Sequence, residues 1–304
     1  MLSQDVNRYI ELHRVMGFKF RTQHSLPRNF VRFADQHGDS HVCTHTVLDW
    51  AAQAPSPPQR HNRLATVRRF ALAMQAEDAR HQVPPADVFG REWFKRRIPH
   101  IYTREQIARL INAAALLPPT GSIRSATYST LFGLLAATGL RISEALALEL
   151  DDFTADGLLI RQTKFKKNRL VPLHETTRHA LERYLARRTR LPSAHSALFI
   201  SLAGTALAYP TVIAVFLSLS RSIGLRAGPG HPGPRLHQLR HTFAARSLEQ
   251  CSGSREAVAR HIIALSTYLG HAHVSDTYWY LQATPGLMRQ IAQVGEALHQ
   301  GGSS

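Results

Sequence analysis

Residues 137–153 read ATGLRISEALALELDDF, and the rest of the chain can be interpreted outward from this stretch. The apolar residues before Gly139 have helical spacing, and a glycine after such a run commonly ends a helix. Arg141 follows the turn directly, and Glu144 lies three residues later, so both can share one face of a new helix. Two interpretations are open: an arginine held by Glu144 and directed at a phosphate, or an ordinary ion pair.

The overall charge of the chain points to an anionic partner. The chain has 304 residues, with 37 Lys and Arg against 21 Asp and Glu, and a formal net charge of +16. Such an excess indicates an anionic partner, for which nucleic acid is the default and a membrane surface or ribosomal RNA the alternative. The hydrophobic fraction of 44% suits a globular protein of one large or two ordinary domains.

The sequence shows no pattern typical of membrane insertion, secretion, a disulfide scaffold or a metal site. The sequence contains no apolar run of membrane-spanning length, and the first 20 residues have no signal-peptide core. Cys43 and Cys251 are far apart and suggest neither a disulfide scaffold nor a metal-ligand pair. We therefore expect a cytoplasmic protein with no membrane partner.

The first 82 residues predict a group of short helices. Thr44 is a possible cap for the third of them, and Leu72 is one of the apolar positions of the fourth. The fourth helix also carries four arginines that either contact DNA or form a solvated face: Arg60, Arg63, Arg68 and Arg69. Residues 83–101, rich in proline, predict a linker that either lies along a phosphate backbone or is a plain connection. Its basic residues are Arg91, Lys95, Arg96 and Arg97.

A lysine-rich hairpin follows in the second half. Residues 157–163 (GLLIRQT) and 169–173 (RLVPL) predict two strands, joined by a turn at residues 164–168 (KFKKN). Lys164, Lys166 and Lys167 lie at or near the tip of this hairpin, which is a suitable position for entering a DNA groove. A solvated turn is the simpler interpretation.

Two further motifs carry histidines. In PRLHQLRHTF, His237 and Arg240 are three residues apart and share a helix face. In LGHAHVSDTYWYL, Gly270 ends a helix, His271 follows, and Tyr278 and Tyr280 come later. The two tyrosines point about 200° apart on a helix, so only one can face a given pocket. The spacing alone does not choose between them.

Taken together, these stretches resemble the tyrosine recombinase (phage integrase) family, over about residues 100–285. The order and flanking residues of the motifs agree, although Phe165 stands where many relatives have glycine and the segment between HQLRH and LGH is longer than usual. The resemblance implies that Tyr280 is the nucleophile and that Tyr278 and His273 are packing or surface residues. The implied catalytic set is Arg141, Lys164 (or Lys166), His237, Arg240, His271 and Tyr280, with Glu144 in support and Lys167 as a further DNA contact.

The resemblance also implies a fold and a reaction. It predicts a mainly α protein with a small β-hairpin: a SAM-like core DNA-binding domain (1–82), a linker (83–101) and a catalytic integrase domain (102–304) ending in a tail helix. The implied function is site-specific DNA recombination through a 3′-phosphotyrosine, without metal or cofactor. The implied partners are double-stranded DNA sites, accessory DNA-bending proteins, and further copies, as a tetramer on paired sites but a monomer or weak dimer in solution.

Several alternatives stay open at this point. A type IB topoisomerase uses closely related residues but relaxes DNA without joining two sites, and a decayed relative could act as a non-catalytic accessory protein. The apolar stripe of residues 284–298 can pack on its own domain or on a neighbouring protomer.

Overall fold

The computed structural model describes residues 2–17, 24–90, 99–161, 168–191, 195–251 and 255–271, together with residues 273, 274, 277 and 280. The chain forms two compact units, Met1–Arg96 and Arg97–Ser304. Their boundary falls inside the predicted linker, while the roles assigned to the two domains stay predictions. The linker residues Arg91, Lys95, Arg96 and Arg97 lie outside the described residues. Within the described part of the chain, no helix is both long and apolar enough to cross a membrane.

The first unit is a helical bundle. Its helices are α1 (Leu2–Val15), α2 (Ser25–Gln36), α3 (Thr44–Ala52) and α4 (Pro57–Gln75). Aromatic side chains fill its core, including Phe30, Trp50 and Phe70, each at most 2% exposed. Two expectations are corrected here. Thr44 is the first residue of α3 and Cys43 is its cap. Leu72 is 46% exposed, because the core-facing stripe of α4 runs through Ala71 and Met74 instead.

The second unit combines helices with one small sheet, which confirms the predicted fold class. Its described elements, in chain order, are α5 (Arg104–Ala115), α6 (Ile123–Thr138), α7 (Ile142–Leu146), β1 (Phe153–Thr154), β2 (Gly157–Ile160), β3 (Arg169–Val171), α8 (Glu175–Arg188), α9 (Tyr209–Ser222), α10 (Gln238–Glu249) and α11 (Arg255–Leu269).

The sheet confirms both strands of the predicted hairpin. Strand β2 pairs antiparallel with β1 on one side and with β3 on the other. In the β2–β3 register, Leu158 opposes Val171 and Ile160 opposes Arg169. Leu158 and Val171 are fully buried and anchor the hairpin to the core. The lysine-bearing tip, with Lys164, Lys166 and Lys167, lies outside the described residues.

Two glycine turns shape the region where the motifs meet. Helix α6 ends at Gly139 with φ +62°, and α11 ends before Gly270 with φ +66°. Both backbones are left-handed, which glycine adopts at low cost. A Cβ at Gly139 would lie 2.6 Å from the Phe243 ring, and one at Gly270 would lie 2.7 Å from Nη1 of Arg169. Conformation and close packing therefore both require glycine at these turns.

Candidate active site

The two turns present main-chain carbonyls to one arginine. Arg240 lies in the first turn of α10 and is only 2% exposed. Its Nη1 donates to the Gly139 carbonyl at 2.8 Å, and its Nη2 donates to the Leu269 carbonyl at 2.7 Å. Burial, and then the nearby positive charge of Arg141, lower the pKa of Arg240 from 12.5 to about 10. The guanidinium therefore remains charged at neutral pH.

Arg141 reaches the same turn from the start of α7. Its Nη2 donates to the Gly270 carbonyl at 3.1 Å, and its Nη1 donates to Glu144 Oε1 at 2.9 Å. The backbone N–H of Arg141 also donates to Glu144 Oε2 at 2.9 Å, which completes a helix cap. The i,i+3 ion pair predicted from the sequence is thus present, and it holds an arginine side chain that is 31% exposed.

The Glu144 carboxylate is held by a second arginine as well. Burial by itself raises the pKa of Glu144, but the hydrogen bonds and charge of Arg169, together with the contacts of Arg141, lower it overall. Glu144 is therefore ionised at neutral pH, and the two arginines outnumber the one carboxylate. An excess of positive charge remains at this position, which suits a phosphate.

Tyr280 meets these arginines. It is 4% exposed, packs in a cluster with Leu248, Leu265 and Leu269, and interacts electrostatically with the Arg240 guanidinium. A nearby cation can stabilise the negative charge that develops when a phenol oxygen acts as a nucleophile. Tyr278 lies outside the described residues, while His273 is exposed, as the resemblance implied.

His271 packs against the Tyr280 ring. The two rings are stacked, with centroids 5.8 Å apart and an angle of 25° between their planes. His271 Nδ1 lies 2.7 Å from Oγ1 of Thr277, a fully buried side chain one helical turn before Tyr280. This bond fixes the orientation of the histidine ring relative to the segment that carries the tyrosine.

Two more histidines complete the cluster. His237 caps α10, and its pKa is lowered by burial and by the charges of Arg240 and Arg141. His241 lies between the rings of His237 (centroids 4.9 Å apart) and Tyr280 (5.3 Å apart). Burial, and then the charges of His237, Arg240 and His271, lower the pKa of His241 to about 4. At neutral pH both are uncharged imidazoles, which are able to accept a proton.

Sequence reasoning missed His241, Arg169 and Thr277. His241 directly follows Arg240 and stands four residues after His237, so helical spacing alone placed it on the same face. Arg169 had a weaker signal, namely a charged residue at the base of a strand otherwise made of apolar residues. Nothing in the sequence distinguished Thr277 from an ordinary helix residue.

The arginines of α4 make contacts within the first unit. Arg63 donates to the Trp50 carbonyl at 2.8 Å and lies over the Trp50 ring, and Arg68 donates to the Pro84 carbonyl at 3.0 Å. Arg60 lies over the Phe89 ring. Arg69 is exposed and bonds to the Ala65 carbonyl of its own helix. Their assignment as DNA contacts stays a prediction.

Comparison with known proteins places the chain in a family. The model of the phage integrase family matches residues 101–286. The chain belongs to the phage integrase family, the tyrosine recombinases. It is 41% identical over 298 residues to the putative integrase/recombinase y4rB of Sinorhizobium fredii, covering 94% of each chain. It is 29% identical over 241 residues to the tyrosine recombinase XerD of Brucella suis biovar 1, covering 77% of this chain and 75% of that one.

Solved structures of tyrosine recombinases share the fold. The XerA recombinase aligns over 97% of this chain and 99% of its own, with a TM-score of 0.53 and 20% identity. A lambda integrase tetramer bound to a Holliday junction aligns over 91% of this chain and 76% of its own, with a TM-score of 0.65 and 17% identity. As a member of this family, the protein is a site-specific recombinase that breaks and rejoins DNA strands. Neither a topoisomerase nor an accessory role is supported.

Proposed function

We propose that Tyr280 is the nucleophile and that Arg141 and Arg240 bind the scissile phosphate. The convergence of Arg141 and Arg240 on the turn at Leu269 and Gly270, next to the buried Tyr280 and the His271 ring stacked on it, carries this proposal, because it brings a nucleophile and two phosphate-binding groups together. The phenol oxygen attacks phosphorus, the bond from phosphorus to the 5′-oxygen breaks, and a 3′-phosphotyrosine and a free 5′-hydroxyl result. The two guanidiniums stabilise the extra charge on the non-bridging oxygens.

Proton transfers fall to the remaining residues. His237 accepts the phenol proton, since its lowered pKa keeps the imidazole neutral at pH 7. His271, fixed by Thr277, donates a hydrogen bond to the phosphate. A hairpin lysine, Lys164 or alternatively Lys166, protonates the departing 5′-oxygen. A second 5′-hydroxyl then attacks the phosphotyrosine and restores the DNA backbone.

Covalent trapping tests the nucleophile. The protein is incubated with a nicked suicide DNA that contains its recombination site, and the denatured products are separated to detect a protein–DNA adduct. We expect an adduct with the parent and with Tyr278→Phe, and none with Tyr280→Phe. Loss of the adduct in Tyr278→Phe alone would assign the nucleophile to the other tyrosine.

A substrate with a 5′-bridging sulfur tests the lysine. A thiolate leaves without protonation, so this substrate restores cleavage to a variant that lacks the general acid. We expect rescue of Lys164→Ala, while Lys166→Ala and Lys167→Ala change cleavage little on either substrate. Rescue of Lys166→Ala alone would move the assignment to Lys166.

We further propose that the first unit binds DNA beside the catalytic unit and that four protomers assemble on two paired sites. The lambda integrase relative of similar fold was solved as a tetramer on a Holliday junction, which supports this assembly. Sedimentation should show one or two protomers without DNA and four on a paired-site complex. Only monomers on that complex would refute the tetramer. The tail at residues 284–298 lies outside the described residues, and its deletion tests whether it contributes to assembly.

A further inference from the structure

Arg169, the first residue of β3 after the lysine-bearing turn, connects three parts of the catalytic unit. Its Nη1 and Nη2 donate to Glu144 Oε1 (3.1 Å) and Oε2 (2.8 Å), an arrangement typical of a bidentate arginine–carboxylate pair. Its Nε donates to the Tyr268 carbonyl at 3.0 Å, near the end of α11. The side chain is only 13% exposed. One guanidinium thus joins β3 to α7 and to the helix end that leads into His271.

The Glu144 carboxylate, which Arg169 holds in place, also binds Arg141. Glu144 Oε1 accepts from a side-chain nitrogen of each arginine, and Oε2 accepts from Arg169 and from the Arg141 backbone. All four bonds lie between 2.8 and 3.1 Å. The Arg169 guanidinium also packs against Gly270, whose carbonyl receives Arg141. The Arg141 guanidinium has three acceptors, Glu144 Oε1, the Gly270 carbonyl and, at 3.5 Å, the Leu269 carbonyl. Arg169 is in contact with the first two of these residues.

Charge gives Arg169 a second effect. With Arg169 present, two guanidiniums share one carboxylate, and a net positive charge is left for a phosphate. Without it, the buried carboxylate has Arg141 as its remaining bonded cation and cancels that charge more completely. Loss of Arg169 therefore weakens Arg141 electrostatically even where Arg141 itself does not move.

We propose that Arg169 is a positioning residue for DNA cleavage, which holds Glu144 and the Gly270 turn so that Arg141 meets the scissile phosphate in a fixed place with its charge available. The proposal rests on the proposed role of Arg141 and adds a residue that does not touch the substrate. It also links the strand that follows the lysine-bearing turn to Arg141.

The same hairpin offers a matched control. Arg161 directly follows β2 and bonds through Nε to Asp152 Oδ1 at 2.5 Å. Asp152 is 2% exposed and also accepts from the Glu149 backbone at 2.9 Å. Arg161 and Arg169 thus each anchor one strand of the hairpin to a buried or nearly buried carboxylate. They differ in that the carboxylate of Arg169 is the one that also binds Arg141.

The test compares Arg169→Gln, Arg169→Lys and Arg161→Gln with the parent, on a suicide DNA from which the parent forms its adduct. Single-turnover formation of the adduct, DNA affinity and thermal unfolding are measured for each. We expect adduct formation to slow about 10–100-fold in Arg169→Gln and less in Arg169→Lys, with DNA affinity within about twofold of the parent. Arg161→Gln should slow it by less than about threefold. Arg169→Lys keeps a positive charge at this position, so it still tests the proposal if Arg169→Gln does not fold.

A pH profile separates positioning from general loss of structure. Glu144 faces Arg141 on its own turn, Arg169 on β3 and Arg240 on α10. Removing Arg169 leaves the effect of burial less opposed, so the pKa of Glu144 rises. A protonated Glu144 no longer holds the Arg141 guanidinium, and we expect this loss of position to outweigh the positive charge that protonation frees. The rate of Arg169→Gln relative to the parent should then fall further from about pH 7.5 to 5.5. In a Glu144→Gln background this extra dependence should vanish.

The outcomes are distinct. Equal slowing by Arg169→Gln and Arg161→Gln, or a relative rate that does not change with pH, would overturn the positioning role and assign Arg169 to anchoring the hairpin. An adduct that survives Tyr280→Phe would instead overturn the proposed nucleophile. In that case the difference in slowing between Arg169→Gln and Arg161→Gln would still test the positioning role of Arg169.

Discussion

Arginines in both units bind main-chain carbonyls, but they do so in different arrangements. In the first unit, Arg63 and Arg68 each complete a separate contact, to Trp50 and to Pro84. In the second unit, Arg141 and Arg240 converge on one turn, beside a buried tyrosine. The residue type and the bond are the same in both units. Convergence on one turn, rather than basic charge, distinguishes the arginines that we propose to bind phosphate from the arginines that hold a helix in position.

The largest expected effect comes from the convergent set. Arg240→Lys keeps the charge but cannot donate to both carbonyls and the phosphate, so cleavage should slow about 10²–10³-fold, corresponding to roughly 3–4 kcal/mol. Single-turnover formation of the adduct measures this. Arg183→Lys, at an exposed position of α8, is the control and should leave the rate unchanged. A loss below tenfold in Arg240→Lys would contradict its direct contact with the phosphate.

The histidine cluster predicts a pH-dependent stability of the second unit. An unfolded histidine binds a proton from about pH 6.5 downward, whereas His241 in the folded protein does so only near its pKa of about 4. The unfolded state gains protons first, so stability falls as pH falls through this window and is unaffected above it. His241→Gln should reduce that loss by on the order of 1–3 kcal/mol.

Denaturant unfolding of the second unit at pH 7.5, 5.5 and 4.5 measures this difference. His273→Gln is the matched control, because His273 is exposed and should leave the pH dependence as it is in the parent. Identical curves for His241→Gln and the parent would show that the folded state protonates His241 as readily as the unfolded chain does.

In the first unit, replacing Arg63, which contacts Trp50 within the unit, should lower stability. Arg63→Ala loses the bond to the Trp50 carbonyl and the contact of the guanidinium with the indole ring, 4.9 Å from its centroid. The free energy of unfolding of the first unit should fall by about 1–2 kcal/mol. Urea unfolding followed by Trp50 fluorescence checks this, and an unchanged midpoint would argue against the structural role of Arg63.

Arg69 should show the opposite behaviour and the smallest effect. It is exposed, and its bond to the Ala65 carbonyl lies within its own helix, so Arg69→Ala should change stability by less than about 0.5 kcal/mol. If α4 contacts DNA, affinity should weaken about 3–10-fold and the salt dependence should lose about one unit of slope. Titrations at several salt concentrations measure both, and unchanged values would remove Arg69 from the predicted DNA surface.

The motifs with local geometry were predictable from the sequence. The end of α6 at Gly139 and the ion pair of Arg141 with Glu144 depend on residues within four positions of each other. The two apolar runs on either side of a polar turn likewise located the hairpin strands. These features are set by spacing along the chain, which can be counted without knowing the fold.

The contacts that complete the site could not be counted in this way. Arg169 meets Glu144 across 25 residues, and Arg240 meets Gly139 across 101 residues. Their partners are determined by how α7, β3, α10 and α11 pack. The acceptors at Gly139, Leu269 and Gly270 are main-chain carbonyls, which carry no sequence signal. The arginines of α4 show the opposite problem. Their basic charge suggested contacts with DNA, whereas in the structure Arg60, Arg63 and Arg68 contact residues of their own unit.

The two glycine turns have a consequence for which substitutions this site tolerates. Gly139, Leu269 and Gly270 bind the arginines through main-chain oxygens, so their contribution does not depend on any functional group of their side chains. Diversification at these positions is limited by backbone conformation and space rather than by chemistry. A saturation library should therefore accept apolar replacements at position 269 and reject even alanine at positions 139 and 270. Selection at Gly139 and Gly270 would therefore preserve the backbone conformation, whereas selection at Arg141 and Arg240 would preserve the charged side chain.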